Sequence, residues 1–157
     1  TGNQPPMVAF GAIKGKLDYE MLENRRFIAK HGLTRFHFNP HFPVNTLMLM
    51  RGAIAAEMDG RLADYVEAGL TSMWEQGLKM DDPEIYVEAM TKAGLDGAAL
   101  LEQTQNPTVK AKLVENTTAA VERGAFGIPT FYVGDEMFFG KDRLGQVEEA
   151  IVAASAR

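Results

Sequence analysis

Apolar residues recur at helical spacing through most of the chain. Leu17, Met21, Leu22, Phe27 and Ile28 share one face of a helix that opens at Lys16. His31-Gly32 closes it, with a cation in the last turn and a glycine suited to a left-handed cap. Thr34 to Phe38 alternates Phe36 and Phe38 about His37 and predicts at most a short extended segment; Asn39 to Pro43 is a proline-flanked loop. Leu47, Met50 and Ile54 predict the next helix. Leu62, Tyr65, Val66, Gly69, Leu70, Met73 and Trp74 then follow i, i+3, i+4 spacing. Asp82-Pro83 places an acceptor at the N-cap and proline at the first helical position, and Lys92-Ala93-Gly94 ends that helix. Asp96 caps a short helix, and Asn106-Pro107 starts another that runs to Arg123-Gly124 with Val109, Leu113, Ala120 and Val121 as its apolar stripe.

The pattern changes at Phe126. Pro129 to Val133 is aromatic and β-branched, Gly134-Asp135 is a turn pair, and Met137, Phe138 and Phe139 form a second short strand, which together predict a β-hairpin. From Asp142 the chain is helical again, with Leu144, Val147 and Ile151 on one face. Two apolar strands alone make a marginal sheet with open edges. The hairpin is therefore expected to pair with strands from outside residues 1–157 or from a neighbouring chain. The start at Thr1 without an initiator Met fits a chain that begins inside a longer gene product.

Composition narrows the function classes. With 16 Lys plus Arg against 21 Asp plus Glu, the net charge is −5, which lacks the electrostatic footprint of a nucleic-acid binder. No apolar run approaches the roughly 20 residues of a membrane span. The sequence has no cysteine. That removes a disulfide framework, a CxxC pair and a thiolate nucleophile or metal site from these residues, and it fits the reducing cytoplasm. His37 and His41 are four apart but straddle Pro40, so they are not a pair on one helix face, and no metal is expected. His31 reads as a helix-terminal cation, and Trp74 and the methionines as core or pocket wall.

Six segments carry a family resemblance. Phe126-Gly127-Ile128-Pro129-Thr130-Phe131, then Gly134-Asp135-Glu136, then Phe139-Gly140-Lys141-Asp142-Arg143-Leu144 closely resemble the C-terminal signature of 2-hydroxychromene-2-carboxylate isomerases and kappa-class glutathione transferases. Gly2-Asn3-Gln4-Pro5-Pro6, Lys16-Leu17-Asp18-Tyr19 and Phe42-Pro43-Val44-Asn45-Thr46-Leu47 are similar to earlier segments of the same family, in the same order. The resemblance implies an α/β (α+β, mostly helical) thioredoxin-like fold with a large all-α insertion, its N-terminal βαβ unit absent from this chain. Residues 1–15 would be a loop of the thioredoxin-like part, 16–124 the insertion, and 125–157 the C-terminal hairpin and helix.

The resemblance also implies a glutathione-dependent isomerase or transferase acting on a small aromatic compound, as a homodimer. The family's thiol-activating Ser is expected upstream of Thr1. Ser72 and Ser155 do not match its position, so no catalytic residue is assigned here and residues 1–157 alone are expected to be inactive. Ile128, before a cis Pro129, would pair its main chain with glutathione's cysteinyl backbone; the alternative is an ordinary trans proline leading an edge strand. Asp142 would meet the γ-glutamyl ammonium or serve as a plain N-cap. Lys141 would reach the ligand carboxylate or lie in solvent. Asn3 and Lys16 would hold the glycyl end, or be a loop-stabilising and a solvated side chain. Asn45 either caps the helix at Thr46 or lines the second-substrate pocket with Trp74. Two other readings of the chain are a dithiol oxidoreductase of the same fold and a non-catalytic helical interaction module.

Overall fold

A computed structural model of the chain describes residues 11–155. They form seven α-helices, a short 3-10 helix and one β-hairpin: α1 Lys16–Lys30, α2 Leu47–Met58, α3 Leu62–Trp74, α4 Pro83–Lys92, α5 Gly97–Gln103, α6 Pro107–Glu122, β1 Thr130–Val133, β2 Glu136–Phe139, the 3-10 turn Lys141–Arg143, and α7 Leu144–Ser155. The chain divides into two compact units after Gln103, one helix earlier than the change of pattern at Phe126.

Side-chain caps set the starts of α4, α5 and α6. Asp82 accepts from the N–H groups of Glu84 and Ile85, with Pro83 at the first helical position. Asn106 accepts from Thr108 at 2.9 Å, and Asp96 from Ala99 at 3.0 Å. At the end of α1, Gly32 takes φ +62° and Leu33 N–H reaches back to Ile28 at 3.0 Å, the pairing of a Schellman closure. Between Thr34 and Phe38 no strand forms. The N–H of His37 instead donates to the Trp74 carbonyl at 2.6 Å, a single tie that starts no ladder.

The first unit has a packed core. Leu49, Ile54, Ala55 and Ala56 of α2 lie buried with Tyr65, Ala68 and Met73 of α3, Tyr86, Ala89 and Met90 of α4, and Leu100 of α5. Helix α2 packs on α3 and α5, and α4 on α3 and α5. At the centre Tyr86 donates to the Tyr65 hydroxyl at 3.2 Å, and Tyr65 donates to the Leu49 carbonyl at 2.9 Å. Both hydroxyls press on Gly52, where an added Cβ would lie 2.3 Å from each oxygen. Burial pushes the ionisation of both tyrosines above the ordinary phenol value.

In the second unit, β1 and β2 pair antiparallel with Val133 opposite Glu136 and Thr130 opposite Phe139. The two-residue turn needs a positive φ only at Gly134, which takes +59°. Helix α7 packs on β1. Among the described residues of this unit only Thr104 and Val109 are buried. Phe126, Met137, Phe139, Leu144, Ile151 and Val152 are exposed.

Candidate functional site

The open end of the hairpin gathers four of the residues singled out from sequence. In a two-residue hairpin the closing pair, here Val133 and Glu136, exchanges hydrogen bonds, and bonded and non-bonded pairs then alternate along the ladder. Gly140 N–H donating to the Pro129 carbonyl at 2.9 Å continues that alternation one step beyond the strand. It follows that Thr130 and Tyr132 turn their N–H and C=O groups away from β2, onto the outer edge of β1. Ile128 lies in the bend just before this strand. It is 93% exposed, and neither its N–H nor its C=O has a hydrogen-bond partner among the described residues. The Ile128–Pro129 peptide is cis, and so is Phe42–Pro43, which sequence reading did not single out.

The loop before Pro129 is held closely. Thr130 Oγ1 donates to the Gly127 carbonyl at 2.6 Å. The ring of Phe126 packs on that of Phe139, centroids 4.6 Å apart. Phe139 also lies so near Gly127 that a Cβ there would come within 2.9 Å of the ring, which is why this position of the motif is a glycine.

Lys141 and Asp142 follow directly on Gly140, so the Gly140–Pro129 bond brings them to the same end of the hairpin as Ile128. Asp142 lies within the 3-10 turn, two residues before α7 starts at Leu144. Its side chain is 79% exposed, and its carboxylate accepts from Lys141 Nζ at 2.9 Å rather than from a backbone N–H. The plain N-cap reading of Asp142 is thus not what the structure shows.

The remaining residues belong to the first unit. Lys16 opens α1 and pairs with Glu20 at 2.5 Å, one turn along the helix. Asn45 lies one residue before Thr46, the N-cap of α2: its Oδ1 accepts from Leu47 N–H at 3.0 Å, while its own N–H donates to Asp81 Oδ2 at 3.1 Å. That bond, helped by Lys79 Nζ 3.4 Å from Oδ1, holds the Asp81 carboxyl below its ordinary range. Trp74 is half-buried at the end of α3, stacked on Phe36 at 5.8 Å and tilted against Phe42 at 5.7 Å. It lines an open cleft of about 360 Å³ with Leu33, Arg35, Phe36, Leu70 and Glu75. Asn3 lies outside the described residues.

Sequence reading missed Asn39. It is buried, donates to the carbonyls of Met73 at 3.0 Å and Leu78 at 2.8 Å, and accepts from His41 N–H at 2.7 Å. These bonds fix the aromatic loop against the end of α3. An Asn-Pro step announces a turn but not the partners 34 and 39 residues away.

A model of the family described as DSBA-like thioredoxin domain matches residues 1–152. The chain belongs to this family. It is 29% identical over 141 residues to a 2-hydroxychromene-2-carboxylate isomerase of Pseudomonas putida, covering 88% of this chain and 67% of that protein. It is also 29% identical over 153 residues to Glutathione S-transferase kappa 1 of Rattus norvegicus, covering 92% of this chain and 68% of the transferase. Among solved structures, that of a 2-hydroxychromene-2-carboxylate isomerase superposes with a TM-score of 0.75 at 27% identity, over 94% of this chain and 75% of the other. The chain spans half to two thirds of the length of the curated isomerases it matches. The DSBA-like family member thus has the thioredoxin-like, largely helical fold expected from its motifs, and its relatives bear the names of an isomerase and a transferase.

Proposed function

We propose that this family member is part of a glutathione-dependent isomerase of the 2-hydroxychromene-2-carboxylate type, related to the kappa-class transferases and working in the cytoplasm. The observation that carries the reading is the exposed Ile128 main chain, whose N–H and C=O have no partner among the described residues, just before the outer edge of β1. An extended peptide satisfies both groups by adding to that edge. Glutathione is such a peptide, and its γ-glutamyl end carries an ammonium and a carboxylate. Asp142 accepts from the ammonium, and Lys141, already beside that carboxylate, meets the ligand carboxylate. Lys16 and Asn3 serve the glycyl end, and Trp74 and Asn45 the pocket of the aromatic substrate.

In the reaction proposed, glutathione's thiolate adds to the chromene ring compound. The opened adduct rotates about a single bond and then expels the thiol, so glutathione returns unchanged. The groups assigned here bind and orient. Thiol activation is assigned to the whole protein, and residues 1–157 alone are expected to bind without turnover.

Calorimetric titration of glutathione into the whole protein tests the reading, together with the absorbance change of 2-hydroxychromene-2-carboxylate. A charge-assisted hydrogen bond contributes about 1.5–3 kcal/mol, so Asp142→Ala is expected to weaken glutathione binding roughly ten- to hundredfold. Unchanged affinity in that variant removes Asp142 from the site. No binding by the unaltered protein removes the function.

A further inference from the structure

The loop that carries Ile128 is bounded by a second set of contacts, at the hairpin's turn end. Helix α6 stops at Glu122 with a Schellman closure: Gly124 takes φ +93°, and Ala125 N–H reaches Ala120 at 3.0 Å. Arg123, at the C-cap, folds onto the hairpin. Its guanidinium carbon lies 3.8 Å from the centroid of the Tyr132 ring. Its Nη2 donates to the Gly134 carbonyl at 3.2 Å. The Tyr132 hydroxyl donates in return to the Arg123 carbonyl at 3.1 Å. Arg123 therefore makes three contacts with the hairpin, two with Tyr132 and one with the Gly134 carbonyl.

These contacts close a ring of chain from residue 123 to residue 134, and Ile128 sits near its middle. Phe126 on Phe139 and Thr130 on Gly127 hold the ring at the open end of the hairpin. The Arg123–Tyr132–Gly134 contacts hold the exit of α6 against the strand. Tyr132 belongs to the strand that Pro129 leads into, four residues after Ile128.

We propose that Arg123 and Tyr132 form a clamp that positions the Ile128 main chain for its ligand. This rests on the reading of Ile128 as a glutathione contact. Arg123 is a positioning residue and touches no ligand. A loop ordered before binding spares the complex the cost of ordering it. A planar guanidinium is required, since it stacks on the ring while donating to the carbonyl, and a lysine ammonium cannot do both with the same geometry.

The test compares Arg123→Met, Arg123→Lys and the unaltered whole protein by glutathione calorimetry and by deuterium exchange of the amides at 126–128. Arg123→Met is expected to raise the glutathione dissociation constant about three- to tenfold, the effect of one ordering cost returned to the binding step, and to speed exchange at 126–128. Arg123→Lys is expected to recover part of both. Tyr132→Phe, which keeps the ring and loses only the hydroxyl, carries the same two readouts if Arg123→Met does not fold. A lowered melting temperature with unchanged affinity and unchanged exchange at 126–128 makes the contacts purely structural and overturns the clamp. An unaltered protein that binds no glutathione overturns the reading of Ile128, and the clamp's purpose with it.

Discussion

Asp142 and Asp81 are two carboxylates in contrasting surroundings. Asp142 is exposed and bonded only to its neighbour Lys141. An exposed ion pair contributes little to stability, so the Asp142→Ala protein is expected to melt within a degree or two of the unaltered one while losing glutathione. Asp81 instead accepts from Asn45 N–H and ties the start of α2 to the loop before α4. Its ionisation is held below the ordinary value in the folded state. Such a group adds stability above the unfolded value of about pH 4, and that stability fades as pH falls through the lowered folded value. Asp81→Asn should therefore melt lower than the unaltered protein at pH 7, with the gap closing below about pH 4. A gap independent of pH would assign the effect to packing rather than to charge. At this scale Asp142 was legible as a chemical type in a motif. Asp81, Asn39 and Arg123 were not, because their meaning lies in partners far along the chain or in a ring face that spacing does not encode.

Among the elements, local signals and tertiary contacts divide the explanation. Helices α4 and α6 start at Asp-Pro and Asn-Pro steps, α1 and α6 stop at a glycine, and the hairpin turns at Gly-Asp, since a cap or a two-residue turn is decided within four residues. Helix α7 starts two residues later than its carboxylate suggested, because Lys141–Arg143 tighten into a 3-10 turn. The centre of the first unit was less legible. Gly52 in an apolar helix marks a close approach, but sequence does not say that two hydroxyls fill it. Gly52→Ala would drive a methyl into that pair and is expected to cost about 1–3 kcal/mol, read by denaturant unfolding. The same pair makes the unit sensitive to alkali. Both tyrosines ionise above their ordinary value when folded, so stability holds below about pH 10 and falls as pH rises beyond it. Melting temperatures between pH 8 and 11 check this. The double variant Tyr65→Phe, Tyr86→Phe should start lower and lose less on the alkaline side. An equal alkaline loss in that variant would clear the two phenols.

Across the whole molecule, the two units differ in how they are supported. The first buries a contiguous set of apolar side chains; the second leaves the apolar residues of its hairpin and last helix exposed among the described residues. Contiguous exposed apolar surface marks a place where something docks, and we expect the whole protein to be a homodimer, which light scattering at micromolar concentration checks. Motif order made the thioredoxin-like fold legible because the signature falls on the hairpin and its flanking turns, where backbone geometry restricts residue choice most. Substrate chemistry was less legible, since the residues assigned to it are divided between the two units: Lys16, Asn45 and Trp74 in one, Ile128, Lys141 and Asp142 in the other. The claim on which the functional account stands is that a peptide pairs with the exposed main chain at Ile128. Titrating glutathione into the isotope-labelled whole protein and following its backbone amides tests it directly. The account predicts that the Ile128 amide shifts in step with ligand and becomes protected from exchange, with Asp142 moving alongside. Saturable binding that leaves the Ile128 amide unshifted and unprotected would contradict it.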